Sequence, residues 1–101
     1  MRLYYILKDK QVVGVNSVED WAIFNRDNSA RIVKQDEMPD GVKVSTVFLG
    51  VAHGFDYQCR PVLFETMVFG GEHSDYQERY CTWEEAEEGH KKAVKLIFEV
   101  S

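Results

Sequence analysis

The feature that most constrains the fold is a pair of strand-like apolar runs, each with polar residues inside it, followed by a helix with a strong start signal. The first run is VKVSTVFL at 42–49, and the second is VLFETMVF at 62–69. Alternate residues of a strand point to opposite faces of its sheet, so one face of each run is mainly apolar. Thr82 and Glu85 then have the spacing of a capping box. Together these elements predict a sheet that packs against a C-terminal helix.

The remaining patterns complete an α+β fold. Short β-prone runs at 3–7 and 11–15 flank Lys8-Asp9-Lys10, which predicts a hairpin. Ser17 is a candidate cap for a first helix that ends within 25–29, and strands are expected at 30–34 and 77–81. The final helix runs from the Thr82 cap to about residue 98. The predicted order is β-β-α-β-β-β-(β)-α, a single globular domain over residues 1–101 with a mostly antiparallel sheet of about five strands and two helices on one face.

Composition limits the classes of function. The 101 residues carry 17 acidic and 12 basic side chains, a net charge of −5. General nucleic-acid binding needs a basic footprint, so this charge argues against it. No apolar run reaches the roughly 18 residues of a membrane-spanning helix, and the start of the chain lacks the long apolar core of a signal peptide. We therefore expect a cytoplasmic protein that has no membrane partner.

The sequence predicts no metal site and no cofactor. Cys59 and Cys81 are expected to be free thiols in a cytoplasmic protein, and the close ligand pairs that are typical of zinc sites are absent. P-loop, GxGxxG and HExxH motifs are absent as well. Because no nucleophile arrangement is visible, the catalytic residues stay unknown and the sequence favours a protein that is not an enzyme.

Glu65 and Thr66 are the polar residues that are hardest to place. Each alternates with large apolar residues on its own strand face, so packing either face under the helices buries a polar group. A buried carboxylate is costly unless it is paired or hydrogen-bonded. Two interpretations of Glu65 remain open: a solvated residue on an outer face or edge, or a paired acid that lines a pocket or an interface.

His90 falls on the predicted inward stripe of the last helix. The stripe comprises Trp83, Ala86, His90, Ala93, Val94 and Ile97. A histidine there is either a satisfied core residue or the partner of a nearby acid. We predict a contact between Glu65 and His90, because it would satisfy both groups and would form an acid–base pair.

Three further residues complete the candidate set for binding a ligand or a partner. Arg79 precedes the helix cap, where it is expected either to pair with the acids at 84–85 or to hold an anion at the helix N-terminus. Tyr80 lies beside it, and His53 lies in a loop at 50–61 whose polar and aromatic residues suit binding. The full set is Glu65, Arg79, His90, Thr66, Tyr80 and His53.

Three sequence blocks carry a resemblance to known proteins. The blocks are VSTVFLG at 44–50, LFETMVFGG at 63–71, and RYCTWEEA at 79–86 followed by His90. They are similar to motifs of a widespread family of short, uncharacterised proteins encoded by tailed bacteriophages and prophages. The segment EDWAIFNRDNSARIV at 19–33 matches more loosely. After the first block the family usually has an LDH-like tripeptide, whereas this chain has Val51-Ala52-His53.

The resemblance implies a phage or prophage setting inside a bacterial host cell. Together with the missing catalytic signature, it leads to the hypothesis of a small accessory binding protein that acts on a host protein or a small ligand. Inhibition of a host defence is one candidate role for such a protein. The alternative is a small hydrolase-like enzyme that uses Glu65 and His90 as acid and base. Ile23 points away from the Val18–Trp21–Ala22 stripe of the first helix, which favours a partner surface or a homodimer.

Overall fold

The structure is a computed structural model that describes residues 4–100, with side chains described for residues 4–98. The predicted strand at 3–7 and the predicted domain therefore extend outside the described residues. The elements are β1 Tyr4–Lys8, β2 Gln11–Val15, α1 Val18–Asn25, a 3-10 turn Asn28–Arg31, β3 Ile32–Glu37, β4 Lys43–Phe48, β5 Phe64–Phe69, β6 Gln77–Tyr80 and α2 Trp83–Val100. The predicted α+β class, antiparallel strand pairing and element order are confirmed.

The strands form two antiparallel sheets, the hairpin β1-β2 and the four-stranded sheet β3-β4-β5-β6. The hairpin is joined to the chain after β4 by a hydrogen bond from the Tyr5 N–H to the Gly50 carbonyl, 2.9 Å long. It does not extend the larger sheet, because Tyr5, Leu7 and Val12 turn their side chains onto the core around Phe48.

The first helix packs mainly on the hairpin. The rings of Tyr4 and Trp21 lie 5.3 Å apart between centroids, and Phe24 meets Phe48 edge to face at 5.9 Å. The inward residues of α1 are therefore Trp21 and Phe24. The predicted inward positions of Val18 and Ala22 are wrong, since both are exposed, Val18 to 54%. Ile23 is exposed, as expected. Within the described residues, neither helix is long and apolar enough to cross a membrane.

One face of the four-stranded sheet lies under α2. The register of β4 and β5 pairs Val44 with Val68, Thr46 with Thr66, and Phe48 with Phe64, and all six residues are buried. The buried residues of α2 opposite them are Ala86, His90, Ala93 and Ile97, which confirms the predicted inward stripe. Apolar clusters form around Val44 and around Phe48, and Thr46 lies between them on the strand.

The start of α2 is fixed by the predicted capping box. The Glu85 N–H donates to the Thr82 hydroxyl at 3.1 Å, and the Thr82 N–H donates to the Glu85 carboxylate at 3.2 Å. Burial by itself would raise the pKa of Glu85, but hydrogen bonds from the Cys81 backbone and from Arg60 lower it below its ordinary value. The same carboxylate therefore caps the helix and, by accepting from Arg60, holds the loop between β4 and β5 against the start of α2.

The strand β3 begins and ends later than the predicted range 30–34. The 3-10 turn occupies Asn28–Arg31, where the Ser29 N–H donates to Asp27, and a register shift separates Ile32 from Lys34. Pairing with β4 then continues to Glu37. As a result Asp36, which lies beyond the predicted end of this strand, is a strand residue.

Gly89 allows α2 and Tyr80 to approach closely. A Cβ at Gly89 would lie 2.1 Å from both Cζ and Oη of Tyr80. Replacing glycine by alanine inside an exposed helix ordinarily stabilises by about 1 kcal/mol. Here we expect Gly89→Ala to lower the free energy of unfolding by about 1–3 kcal/mol, because the ring must move in a packed site. Urea denaturation measures this change.

The matched control is the same substitution in a Tyr80→Ala background. Removing the ring removes the clash, so Gly89→Ala is expected there to be neutral or stabilising. An equal loss of stability in both backgrounds would show that the contact with Tyr80 is not the cause.

Candidate functional site

A line of hydrogen bonds crosses the core between the sheet and α2. Thr46 Oγ1 lies 2.7 Å from His90 Nδ1 and 2.5 Å from Thr66 Oγ1. Tyr80 Oη lies 3.2 Å from Thr66 Oγ1, and at the other end His90 Nε2 lies 2.7 Å from Asp36 Oδ2. These five residues, Asp36, His90, Thr46, Thr66 and Tyr80, are called the relay below.

The Asp36 carboxylate sets the direction of every hydrogen bond in the relay. An ionised carboxylate can only accept, so Nε2 of a neutral His90 carries the ring proton and Nδ1 accepts from the Thr46 hydroxyl. Thr46 then accepts from Thr66, and Thr66 accepts from Tyr80. Burial raises the pKa of Tyr80 although its bond to Thr66 opposes the rise, which keeps the hydroxyl protonated as a donor. Every donor in the relay therefore points towards Asp36.

Asp36, His90 and Thr46 have the composition of a catalytic triad, but the Thr46 hydroxyl, which would be the nucleophile, is inaccessible. Thr46 is 0% exposed and His90 is 3% exposed. A nucleophilic hydroxyl must reach the carbon that it attacks, whereas Thr46 lies beneath α2. The arrangement is therefore suited to holding the core together and not to acyl transfer.

The Asp36 end of the relay opens into a groove between β3 and α2, called the β3–α2 groove. Its volume is about 540 Å³, and it is lined by Lys34, Asp36, Glu87, His90, Lys91, Val94, Lys95 and Phe98. Three lysines and two acids line it, in a chain whose net charge is −5, and one of the lysines, Lys91, also pairs with Glu88 at 3.5 Å. The groove is thus a locally cationic site with an apolar wall.

The Tyr80 end opens into a second groove between β6 and α2, called the β6–α2 groove. Its volume is about 730 Å³. Its charged lining residues are the acids Asp56, Glu78, Glu84, Glu85 and Glu88 and the bases Arg60, Arg79 and Lys92. Because carboxylates outnumber bases, this groove disfavours anions.

The predicted contact between Glu65 and His90 is wrong. Thr66 faces α2, so its neighbour Glu65 points to the opposite face of the sheet. There the Glu65 carboxylate accepts from Arg79 Nε at 2.9 Å and from Gln77 Nε2 at 2.7 Å, and its side chain is 11% exposed. Glu65 is therefore a paired acid on the outer face, and it cannot serve as an acid–base partner of His90.

The other candidates are distributed over three regions. Thr66, Tyr80 and His90 are brought together by the relay. The predicted pairing of Arg79 with the acids at 84–85 is wrong, because Arg79 pairs with Glu65 across the strands and Arg60 reaches Glu85 instead. His53 is exposed in the loop before β5, where its N–H donates to the Val62 carbonyl at 2.9 Å, and it lines neither groove.

Sequence reasoning missed Asp36, Thr46 and the lysines of the β3–α2 groove. A signal for Thr46 was present, since Thr46 and Thr66 each interrupt an apolar strand face and such pairs hydrogen-bond across strands. Asp36 gave no comparable signal, because it lies 54 residues from His90 and no local spacing joins them. The cationic groove likewise arises only when β3 is placed beside α2.

No family model, curated protein or solved structure matches this chain. Among the residues that the structure describes, no group of three or more His, Cys, Asp or Glu side chains is placed to hold a metal ion.

The two cysteines differ in predicted reactivity. Burial raises the pKa of the Cys81 thiol to about 11, and the nearby Asp56 carboxylate adds to the rise, whereas Cys59 is exposed. The thiolate is the reactive form of cysteine. We expect iodoacetamide at neutral pH to alkylate Cys59 and to leave Cys81 unmodified in the folded protein, as read by peptide mass spectrometry. In denaturant both should react, and rapid native labelling of Cys81 would contradict its burial.

Proposed function

We propose that this protein is a non-enzymatic binding protein that captures a small anionic ligand in the β3–α2 groove. The observation that carries the proposal is a cationic groove in an acidic chain, with the Asp36–His90 pair at its floor. A volume of about 540 Å³ lies inside the range of about 300–1,000 Å³ that is usual for small-molecule sites. The inaccessible Thr46 hydroxyl and the separation of Glu65 from His90 favour binding over catalysis.

The groups around the groove define the ligand. Ammonium groups of Lys34, Lys91 and Lys95 suit a carboxylate or a phosphate. Val94 and Phe98, the latter 68% exposed, suit an apolar or aromatic body. The Asp36 side chain is 40% exposed while it holds His90, so its carboxylate can also accept from an N–H or O–H of the ligand. The expected ligand is an anion with a hydrogen-bond donor and a flat apolar part.

The sequence resemblance supports the biological setting. We place the protein in the cytoplasm of a bacterial host as a phage or prophage accessory factor. Sequestering a small host metabolite or signal would be its role, and inhibition of a host defence system that uses such a signal is one form of that role. A cationic groove of small-molecule size favours a small ligand over a host protein as the primary partner.

We also propose that the protein is a homodimer. Val18 and Ile23, both more than half exposed, place large apolar side chains on the outer surface of α1. Large exposed apolar side chains are enriched at protein interfaces, and symmetric dimers are the commonest assemblies of soluble chains. A monomer mass under native conditions at micromolar concentration would contradict this assembly.

Native mass spectrometry of untagged protein, purified quickly from bacterial cells, tests the ligand. We expect an added mass in wild type and at least a tenfold loss of occupancy in Lys34→Glu and Lys95→Glu, because each reversal repels the anion. The matched control is Lys92→Glu, since Lys92 lies on α2 but lines the β6–α2 groove. It should retain the ligand.

If the ligand is lost during purification, a thermal-shift assay with nucleoside monophosphates and aromatic carboxylates tests binding directly. Binding to the folded state should raise the melting temperature of wild type and of the Lys92→Glu control, but not that of Lys34→Glu. No added mass and no shift with any member of the panel, or equal effects in all three variants, would overturn the proposal.

A further inference from the structure

We propose that the relay is a two-state switch that couples the two grooves on either side of α2. In one state Tyr80 offers only an acceptor to the β6–α2 groove, and in the other it offers a donor. The state is selected by whether His90 carries one ring proton or two. This inference concerns the relay itself and does not depend on the ligand proposed for the β3–α2 groove.

The state with one ring proton has a single direction of hydrogen bonding. With one proton on Nε2 of His90, Nδ1 is an acceptor at 2.7 Å from Thr46 Oγ1. The hydroxyl protons of Thr46, Thr66 and Tyr80 must then all point towards His90, since each hydroxyl has one proton to donate. The lone pairs of Tyr80 Oη are left for the groove that Tyr80 lines.

A second proton on His90 reverses every bond of the relay beyond the ring. Nδ1 becomes a donor, so Thr46 must accept from it and donate to Thr66. Thr66 in turn donates to Tyr80 Oη, and the Tyr80 hydroxyl proton turns towards the β6–α2 groove. A partial reversal would leave two protons or two lone pairs facing each other in the core, where an unsatisfied polar group is costly. The hydroxyls therefore reverse together.

Protons balance along this path without movement of heavy atoms. A hydronium ion in the β6–α2 groove gives a proton to Tyr80 Oη and is left as water, and Tyr80 passes its own proton to Thr66. Thr66 passes its proton to Thr46, and Thr46 passes its proton to His90 Nδ1. The net change is one proton gained by His90 from solvent, and each hydroxyl ends with one proton that points the other way.

The second proton on His90 also changes the charge of the β3–α2 groove, where other charged and titratable groups surround the ring. They are Lys34 and Asp36 from β3, Glu87, Lys91 and Lys95 from α2, and Tyr80 from β6, while β4 and β5 contribute the uncharged Thr46 and Thr66. A second proton makes His90 a cation beside Asp36 and adds one positive charge to the floor of the β3–α2 groove. Because coupling between sites is reciprocal, an anion bound there favours the state in which Tyr80 donates.

Side-chain NMR of the whole protein tests the switch. The ¹⁵N shifts of His90 report the tautomer and the second proton as the pH is lowered, and the ¹³Cζ shift of Tyr80 reports its hydroxyl. We expect the Nε2–H tautomer at rest, and a Tyr80 shift whose midpoint coincides with that of His90. Tyr76 lines the same groove outside the relay, so its ring is the internal control and should not follow His90.

Thr66→Val breaks the relay between Tyr80 and Thr46 while preserving side-chain shape. His90 should still gain its second proton, and the Tyr80 shift should no longer follow it. Thr66→Ser restores a hydroxyl and should restore the coincident midpoints, which separates loss of the relay from loss of packing. The proposal is overturned if Tyr80 follows His90 equally in Thr66→Val, if it fails to follow in wild type, or if His90 gains no second proton before the protein unfolds.

Discussion

The structure depends on the mutual satisfaction of three polar side chains that are buried between the sheet and α2. Thr46, Thr66 and His90 are almost fully inaccessible, and leaving any of them without a partner would cost about 1–3 kcal/mol. Because they bond to one another, His90 has to lie over Thr46 and Thr66. That requirement fixes the position of the helix along the sheet, and apolar clusters around Val44 and Phe48 then fill the space on either side.

The same polar residues select the register of the sheet. A shift of β5 by one residue would turn Glu65 under α2 and Thr66 to the outer face. The carboxylate would lose Arg79 and Gln77, and Thr46 would lose its partner across the strands, so the core would hold an unpaired charge. Glu65 and Thr66, which look misplaced in an apolar strand, therefore discriminate between the native register and its nearest competitor.

Local patterns in the sequence were sufficient for the α+β class, the hairpin and the last helix, because Thr82 and Glu85 are three residues apart and the inward stripe recurs every turn. They also indicated that His90 needs a partner. The predicted partner, Glu65, is wrong, because alternate strand residues point to opposite faces and Thr66 faces the helix. The true partner, Asp36, comes from a strand 54 residues away whose end depends on its pairing with β4, and no local spacing encodes that pairing.

The charge gradient of α2 links the stability of the helix to the chemistry of the grooves. Glu84 and Glu85 in the first turn complement the helix dipole, and Lys91 in the middle of the helix pairs with Glu88 one turn earlier, so helix energetics explain much of the run from Glu84 to Lys95. The β6–α2 groove, however, contacts the acidic first half at Glu84 and Glu88, whereas the β3–α2 groove reaches the basic second half at Lys91 and Lys95. A gradient that stabilises the helix thus gives opposite charge to two grooves on either side of it, and the relay joins the two through the core.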